Sequence, residues 1–183
     1  MSATVQTGYF FMPEHIILVG ASERPHSLGE RIFSHLLGSS YQGKITPVNL
    51  RHSSVAGIPS YSSLSKIPGQ ADLVVAVIPP DHYDSLFKAC RKKDLRHIIL
   101  IQDWENLPPE SCKNARSIIQ KHYGDELNIS VCNSAGIQLP SLNLNISTQA
   151  DYPAGHIALL TGHSTVSRNI NHLLNTLHQG VSR

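Results

Sequence analysis

The stretch HIILVGASERPHSLGERIFSHLLG, residues 15–38, decides how the rest of the chain is read. The apolar run Ile16 to Val19 stops at Gly20, small and polar residues follow, and Leu28, Ile32, Leu36 and Leu37 then recur at helical spacing. This pattern predicts a strand over 15–19, a tight turn, and a helix over 27–37 that Gly38 ends. Ser27 and Glu30 have the S-x-x-E spacing of a capping box at the helix start. Gly20 has no Cβ to keep a ligand off the backbone, while Ala21 and Ser22 keep the turn narrow. The helix start adds free N–H groups and the positive end of its dipole. Such a layout suits a bound phosphate, and it also serves as a tight turn that binds nothing. Gly29 allows either close packing of the helix on the strand or close approach of a ligand.

Working outward, the same alternation repeats. KITPVN (44–49), DLVVAVI (72–78), HIILI (97–101) and NISVC (128–132) read as strands, with helices over about 82–93 and from after Pro108 and Pro109 to near Tyr123 and Gly124 between them. The continuous apolarity of 72–78 predicts burial on both faces. Alternating strands and helices specify an α/β fold with a doubly wound parallel sheet, whose ligands sit outside the carboxyl ends of the strands. Residues 1–137 make this first domain. QLPSLNLNISTQADYPA (138–154) lacks periodicity, so 138–155 reads as a connector. HIALLTGHSTVSRNINHLLNTLHQG (156–180) adds one strand and one amphipathic helix, so 156–183 reads as an incomplete C-terminal βα extension, the start of a second domain. That unit needs cover from the first domain, another copy or a partner subunit.

Composition narrows the classes. Among 183 residues, 40% are hydrophobic and 15% charged, with a formal net charge of +2, which fits a soluble globular protein and gives no footprint for nucleic acid. Cys90, Cys112 and Cys132 are odd in number and widely spaced, as in a reducing compartment. No basic start with an apolar core marks a signal peptide and no run is long enough for a membrane span, so the expected location is cytoplasmic. The eleven histidines show no metal-ligand spacing, and no metal is expected. Asp81 and Asp84 fall at a helix start, where carboxylates favour the dipole. Ser164 is not in a G-x-S-x-G elbow, and no catalytic residue is assigned.

The spacing after the first strand is not G-x-G-x-x-G, and the second strand ends in PVNLRHS (47–53) without the acid that recognises an NAD ribose. No Asp or Glu occurs from Arg31 to Ala71, while Arg31, Lys44, Arg51 and Lys66 all do. Arg51, with His52 beside it, suits a ribose that itself carries a phosphate, which points to NADP or coenzyme A.

Three segments, PEHIILVGAS (13–22), GKITPVN (43–49) and VAGIPSYSSLSKIPGQADLVVAVIPP (55–80), resemble the amino-terminal, Rossmann-like coenzyme A-binding domain of the NDP-forming acyl-CoA synthetases. The same domain occurs in the alpha subunit of succinyl-CoA synthetase and in the acyl-CoA synthetase-like half of bacterial protein lysine acetyltransferases. The resemblance runs from about Pro13 to Gly180. It implies that Gly20, Ala21 and Ser22, with Ser27 at the helix start, lie against the CoA phosphates. It further implies that Asn49 and Arg51 serve the 3′-phosphoadenosine end and that Ile78, Pro79 and Pro80 border the adenosine. VCNSAGI (131–137) is similar to the family's Pro-Asn-Cys-x-Gly-Ile, which would set Asn133, Ser134 and Gly136 near the pantetheine thiol, with Cys132 and Ser134 as departures. Trp104 stands where the family has a small turn. His163 lies outside the segment that carries the family's phosphohistidine.

The implied function is a module that binds CoA or acyl-CoA and is not catalytic by itself. Two alternatives stay open. One is an NADP- or NAD-binding Rossmann protein, and the other a non-binding scaffold, favoured if Trp104 fills the pocket.

Overall fold

The computed structural model describes residues 8–124 and 127–182. A helical turn, α1 (Gly8–Phe11), precedes β1 (His15–Val19), α2 (Leu28–Gly38) and β2 (Lys44–Val48). Next come a small hairpin, β3 (Ser54–Val55) and β4 (Ile58–Pro59), then β5 (Leu73–Ala76), α3 (Tyr83–Lys92), β6 (His97–Ile101), α4 (Pro109–His122) and β7 (Asn128–Cys132). The C-terminal part holds β8 (Ile137–Leu139), β9 (Leu144–Ile146), β10 (Ala154–Ile157) and α5 (Ser164–Thr176).

Five strands form one parallel sheet in the order β2-β1-β5-β6-β7. Successive side chains along a strand point to opposite faces, so the continuous apolar runs fill two cores. Ile17, Val74, Ala76, Ile98 and Leu100 pack with Tyr83, Phe87 and Cys90 of α3 and Ala115 of α4. Ile16, Leu18, Leu73, Val75, Ile99 and Ile101 pack on the other face with Ile32, Phe33 and Leu36 of α2. The result is the expected α/β sandwich with helices on both faces of a doubly wound sheet.

Strand β5 ends two residues before the apolar run does. The Val77 N–H still donates to the Val19 carbonyl (2.8 Å), and the chain then leaves the sheet towards Pro79 and Pro80. At the opposite, amino-terminal edge the sheet is closed by polar groups. His15 bonds Thr46 Oγ1 and the Gln70 carbonyl (2.8 Å each), and Asp72 accepts the N–H groups of Glu14 and His15. Burial lowers the pKa of His15, and of His97 at the same edge.

The segment 138–155 is more than a connector. Strands β8 and β9 pair as an antiparallel hairpin that lays Leu139, Leu144 and Ile146 on the α2 side of the sheet. The polar tail of that hairpin is bonded internally: Ser147 Oγ donates to Asn145 Oδ1, and the Asn145 amide donates to Asp151 and to the Gln149 carbonyl. Beyond it, β10 bridges to Val181, and Tyr152, Leu174 and Val181 form a small third core. Tyr152 Oη bonds Ser167, and the Gln149 amide donates to the Ser164 carbonyl, which fixes α5 to the hairpin. Ile157, Leu160, Val166, Leu173 and Leu177 stay exposed, so this unit presents apolar surface, as a lone βα pair should. Among the described residues no helix is long and apolar enough to cross a membrane.

Candidate functional site

The chain runs from β1 to β2 on one side and resumes at β5 on the other. The crossover direction therefore reverses at the carboxyl ends of β1 and β5, which is where doubly wound sheets leave a crevice. Here that crevice is a cavity of about 250 Å³. Gly20, Ser22, Ser27, Ile78 and Pro79 of the expected site line it, together with Gly29, Arg24 and Gln102. Arg24 carries the only charge among the lining residues.

The turn is built around close backbone approaches. Gly20 has φ +92°, a conformation L side chains avoid, and a Cβ there would stand 2.2 Å from the Val77 carbonyl oxygen. Its N–H donates to the Val48 carbonyl (3.1 Å), so the turn is bonded to the end of β2 and packed against the chain that leaves β5. A Cβ on Gly29 would stand 2.1 Å from the Gly20 carbonyl oxygen, so Gly29 serves helix-to-turn packing. Ser27 caps α2 by accepting the Glu30 N–H (3.2 Å). The reciprocal half of the capping box does not form. The Ser27 N–H donates instead to the Arg24 carbonyl, and the Glu30 carboxylate accepts from Ser34. Ser22 Oγ accepts the Arg24 N–H (3.0 Å), so Arg24 is held at both its backbone groups.

Asn49 joins the second-strand end to this turn. Its amide donates to the Ala21 carbonyl (2.8 Å), and its Oδ1 accepts the N–H groups of Arg51 and His52 (2.8 and 3.0 Å). Both ends of its side chain are thus committed to the protein. Ala21 is buried, Pro80 is buried at the start of a short 3₁₀ turn, and neither lines the cavity. Arg51 is exposed on the rim loop.

The four cations of the acid-free interval separate in space. Lys44 begins β2 and so lies at the far edge of the sheet, the Arg31 guanidinium donates to the Thr148 carbonyl (2.7 Å), and Lys66 bonds Ser62. Arg51 alone of the four stays at the carboxyl edge. The interval is not free of acid in three dimensions, because Glu23 Oε1 accepts the Ala56 N–H (2.7 Å) at the tip of the β3–β4 hairpin.

The loop after β7 lies next along the edge, but its groups are engaged. The Asn133 amide donates to the Gly162 carbonyl and its Oδ1 accepts the Ala135 N–H, while the Ser134 carbonyl accepts from Thr148. Gly136 has φ +57°, and a Cβ there would stand 1.9 Å from the Ile146 carbonyl oxygen. These residues brace the hairpin and the C-terminal unit against the sheet, a role the sequence reading missed. Trp104 does not fill the cavity. Its indole N–H donates to the Cys132 carbonyl (2.8 Å) and its ring packs on the α3–α4 core.

Outside the crevice little is poised for chemistry. Burial pushes the Cys90 thiol up to about 12 and raises that of Cys132, so both stay protonated at neutral pH. Asp84 is bonded to Lys88 and His122, which hold its carboxyl well below the usual range. His163 is exposed, 3.4 Å from Glu105. Among the described residues no group of three His, Cys, Asp or Glu side chains is placed to hold a metal ion.

Comparison with known proteins adds a family. Residues 14–138 match the model of a CoA binding domain. The chain is 29% identical over 155 residues to the alpha subunit of the ADP-forming acetate-CoA ligase II of Pyrococcus furiosus, covering 84% of this chain and 34% of that one. It is 25% identical over 177 residues to the ADP-forming acetate-CoA ligase of Methanocaldococcus jannaschii, covering 96% of this chain and 25% of that one. Among solved structures, the dinucleotide-forming acetyl-coenzyme A synthetase 1 of Ca. Korarchaeum cryptofilum has the same fold. It aligns at a TM-score of 0.81 and 20% identity over 96% of this chain and 38% of its own. The chain thus spans about a third or less of the length of these two ligases.

Proposed function

The chain belongs to the CoA binding domain family, and from that premise we propose that it binds coenzyme A or acyl-CoA along the carboxyl edge of its sheet and does not itself turn it over. The observation that carries this reading is the crevice between β1 and β5, walled by a glycine turn and a helix start, with an arginine as its one charged lining residue. About 250 Å³ is too small for the whole ligand and suits its diphosphate, with the two ends lying outside. In this reading Gly20, Ala21, Ser22 and Ser27 hold the diphosphate. Arg51, presented by Asn49, meets the 3′-phosphate, while Ile78, Pro79 and Pro80 border the adenosine. Asn133, Ser134 and Gly136 shape the path of the pantetheine arm.

The relatives named as acetate-CoA ligases support a place in an ADP-forming acyl-CoA synthetase, where this part presents the thioester to groups elsewhere. Residues 156–183 then begin a second domain, and a partner subunit or another copy covers its apolar face. A cytoplasmic location goes with that role.

Titration calorimetry with CoA and dephospho-CoA tests the reading. The wild-type chain should prefer CoA, and Arg51→Ala should lower affinity for CoA by about tenfold, the worth of one charge-assisted contact, with dephospho-CoA unchanged. Equal binding of both ligands by the wild type removes the role of Arg51, and binding of neither rejects the reading.

A further inference from the structure

Glu23 is the anomaly of the crevice. It sits between Ser22 and Arg24 in a loop read as a phosphate site, where a carboxylate would repel the ligand. Its side chain points elsewhere: Oε1 takes the N–H of Ala56, 33 residues away, at 2.7 Å. Ala56 and the following Gly57 have φ +48° and +76°, the two positive values of a type I′ turn, so this N–H is presented by a tight hairpin between β3 and β4. The hairpin continues the loop that carries Asn49, Arg51 and His52. Two tethers therefore join the phosphate turn to the ribose loop, Asn49 to Ala21 and Glu23 to Ala56.

We propose that Glu23 is a positioning residue for the bound cofactor: its bond to the Ala56 N–H latches the Gly20–Ser27 turn to the Asn49–Gly57 loop, which presets the distance between the diphosphate and 3′-phosphate sites. The same bond draws the carboxylate out of the crevice. Arg24, whose N–H and carbonyl are fixed by Ser22 and Ser27, is left as the crevice cation. Preorganising two loops that grip opposite ends of one ligand raises affinity by removing the cost of ordering them on binding. This inference rests on the CoA reading.

Charge and latch predict opposite signs, which makes the test sharp. By charge alone, removing Glu23 from the neighbourhood of a polyanionic ligand strengthens binding. As a latch, Glu23→Ala weakens CoA binding by about tenfold and narrows the preference for CoA over dephospho-CoA, whereas Glu23→Gln, whose Oε1 still accepts the Ala56 N–H, binds CoA at least as tightly as wild type. Calorimetry of the three chains with both ligands reads the affinities. Amide exchange by NMR without ligand reads the latch itself: the Ala56 N–H should be protected in wild type and Glu23→Gln and exchange faster in Glu23→Ala. If wild type binds CoA and Glu23→Ala binds it equally or more tightly, the latch is overturned and the CoA reading stands. If wild type binds neither ligand, the CoA reading falls and the latch with it.

Discussion

Replacing Gly29 with alanine isolates the packing on which the crevice depends. Gly29 is helical, so alanine brings no backbone strain there and raises helix propensity by about 1 kcal/mol. The cost is steric. The new Cβ would stand 2.1 Å from the Gly20 carbonyl oxygen, and ordinary contact begins at 3.4 Å, so α2 and the turn must part by about 1.3 Å. Overpacking in a tight contact costs about 1–3 kcal/mol, which leaves a net destabilisation of up to about 2 kcal/mol. The displacement carries the Ser27 cap and the first-turn N–H groups away from the Gly20 turn. Affinity for CoA and dephospho-CoA should therefore fall together, by about tenfold or more, since both contain the diphosphate. Urea denaturation gives the stability and calorimetry the affinities. Gly38→Ala on the same helix is the control, because a Cβ there meets nothing within 4 Å. Its binding should match wild type, and its stability should equal or exceed wild type by up to about 1 kcal/mol, the gain in helix propensity without the clash. A Gly29→Ala chain as stable as wild type, with unchanged affinity for both ligands, would refute the reasoning.

Asn49→Ala removes one hydrogen bond from the ribose loop to the turn and two within the ribose loop, and should lower the stability measured in urea by about 1–3 kcal/mol and weaken CoA binding; an unchanged denaturation midpoint would show that the loops hold without it. Burial lowers the pKa of His15 and His97, so the unfolded chain takes up protons near pH 6.5 that the folded chain refuses, and stability should fall as the pH drops from 7.5 through 6.5 to 5.5. A His15→Gln/His97→Gln double variant should be less stable at pH 7.5 yet lose less on acidification, whereas an equal loss would place the proton uptake elsewhere.

The central sheet was legible because its strands are long apolar runs and its helices carry a clear periodicity. Ile16 to Leu18, Leu73 to Ala76 and Ile98 to Ile101 are all fully buried, as continuous apolarity predicts for a parallel sheet covered on both faces. The two hairpins were not legible. Strands of two or three residues are too short to show a period, and the polar residues Asn145, Ser147 and Gln149 are buried only because they bond one another and the backbone. What makes β9 pack is Gly136, whose missing Cβ admits the Ile146 carbonyl, a tertiary contact with no local signature.

The crevice was half legible for a similar reason. A glycine at a strand end declares itself, and Gly20 and Ser22 could be read directly. Which cations share an edge depends on strand direction and on who has already bonded them, so Arg24 was missed while Arg31 and Lys44 counted as neighbours of Arg51. Trp104 was misleading because a bulky residue in sequence says nothing of the direction its ring takes. Glu23 reaches the acid-free interval by a side-chain bond that spacing along the chain cannot reveal.

A competitive titration decides whether the crevice between β1 and β5 takes the diphosphate of CoA. CoA and NADPH both carry a diphosphate and a phosphorylated ribose, but CoA has its phosphate on the 3′-oxygen and a pantetheine arm where NADPH has a 2′-phosphate and a nicotinamide riboside. CoA should bind with measurable heat, and a large excess of NADPH should neither bind nor displace it. Binding of NADPH with CoA silent would contradict this assignment.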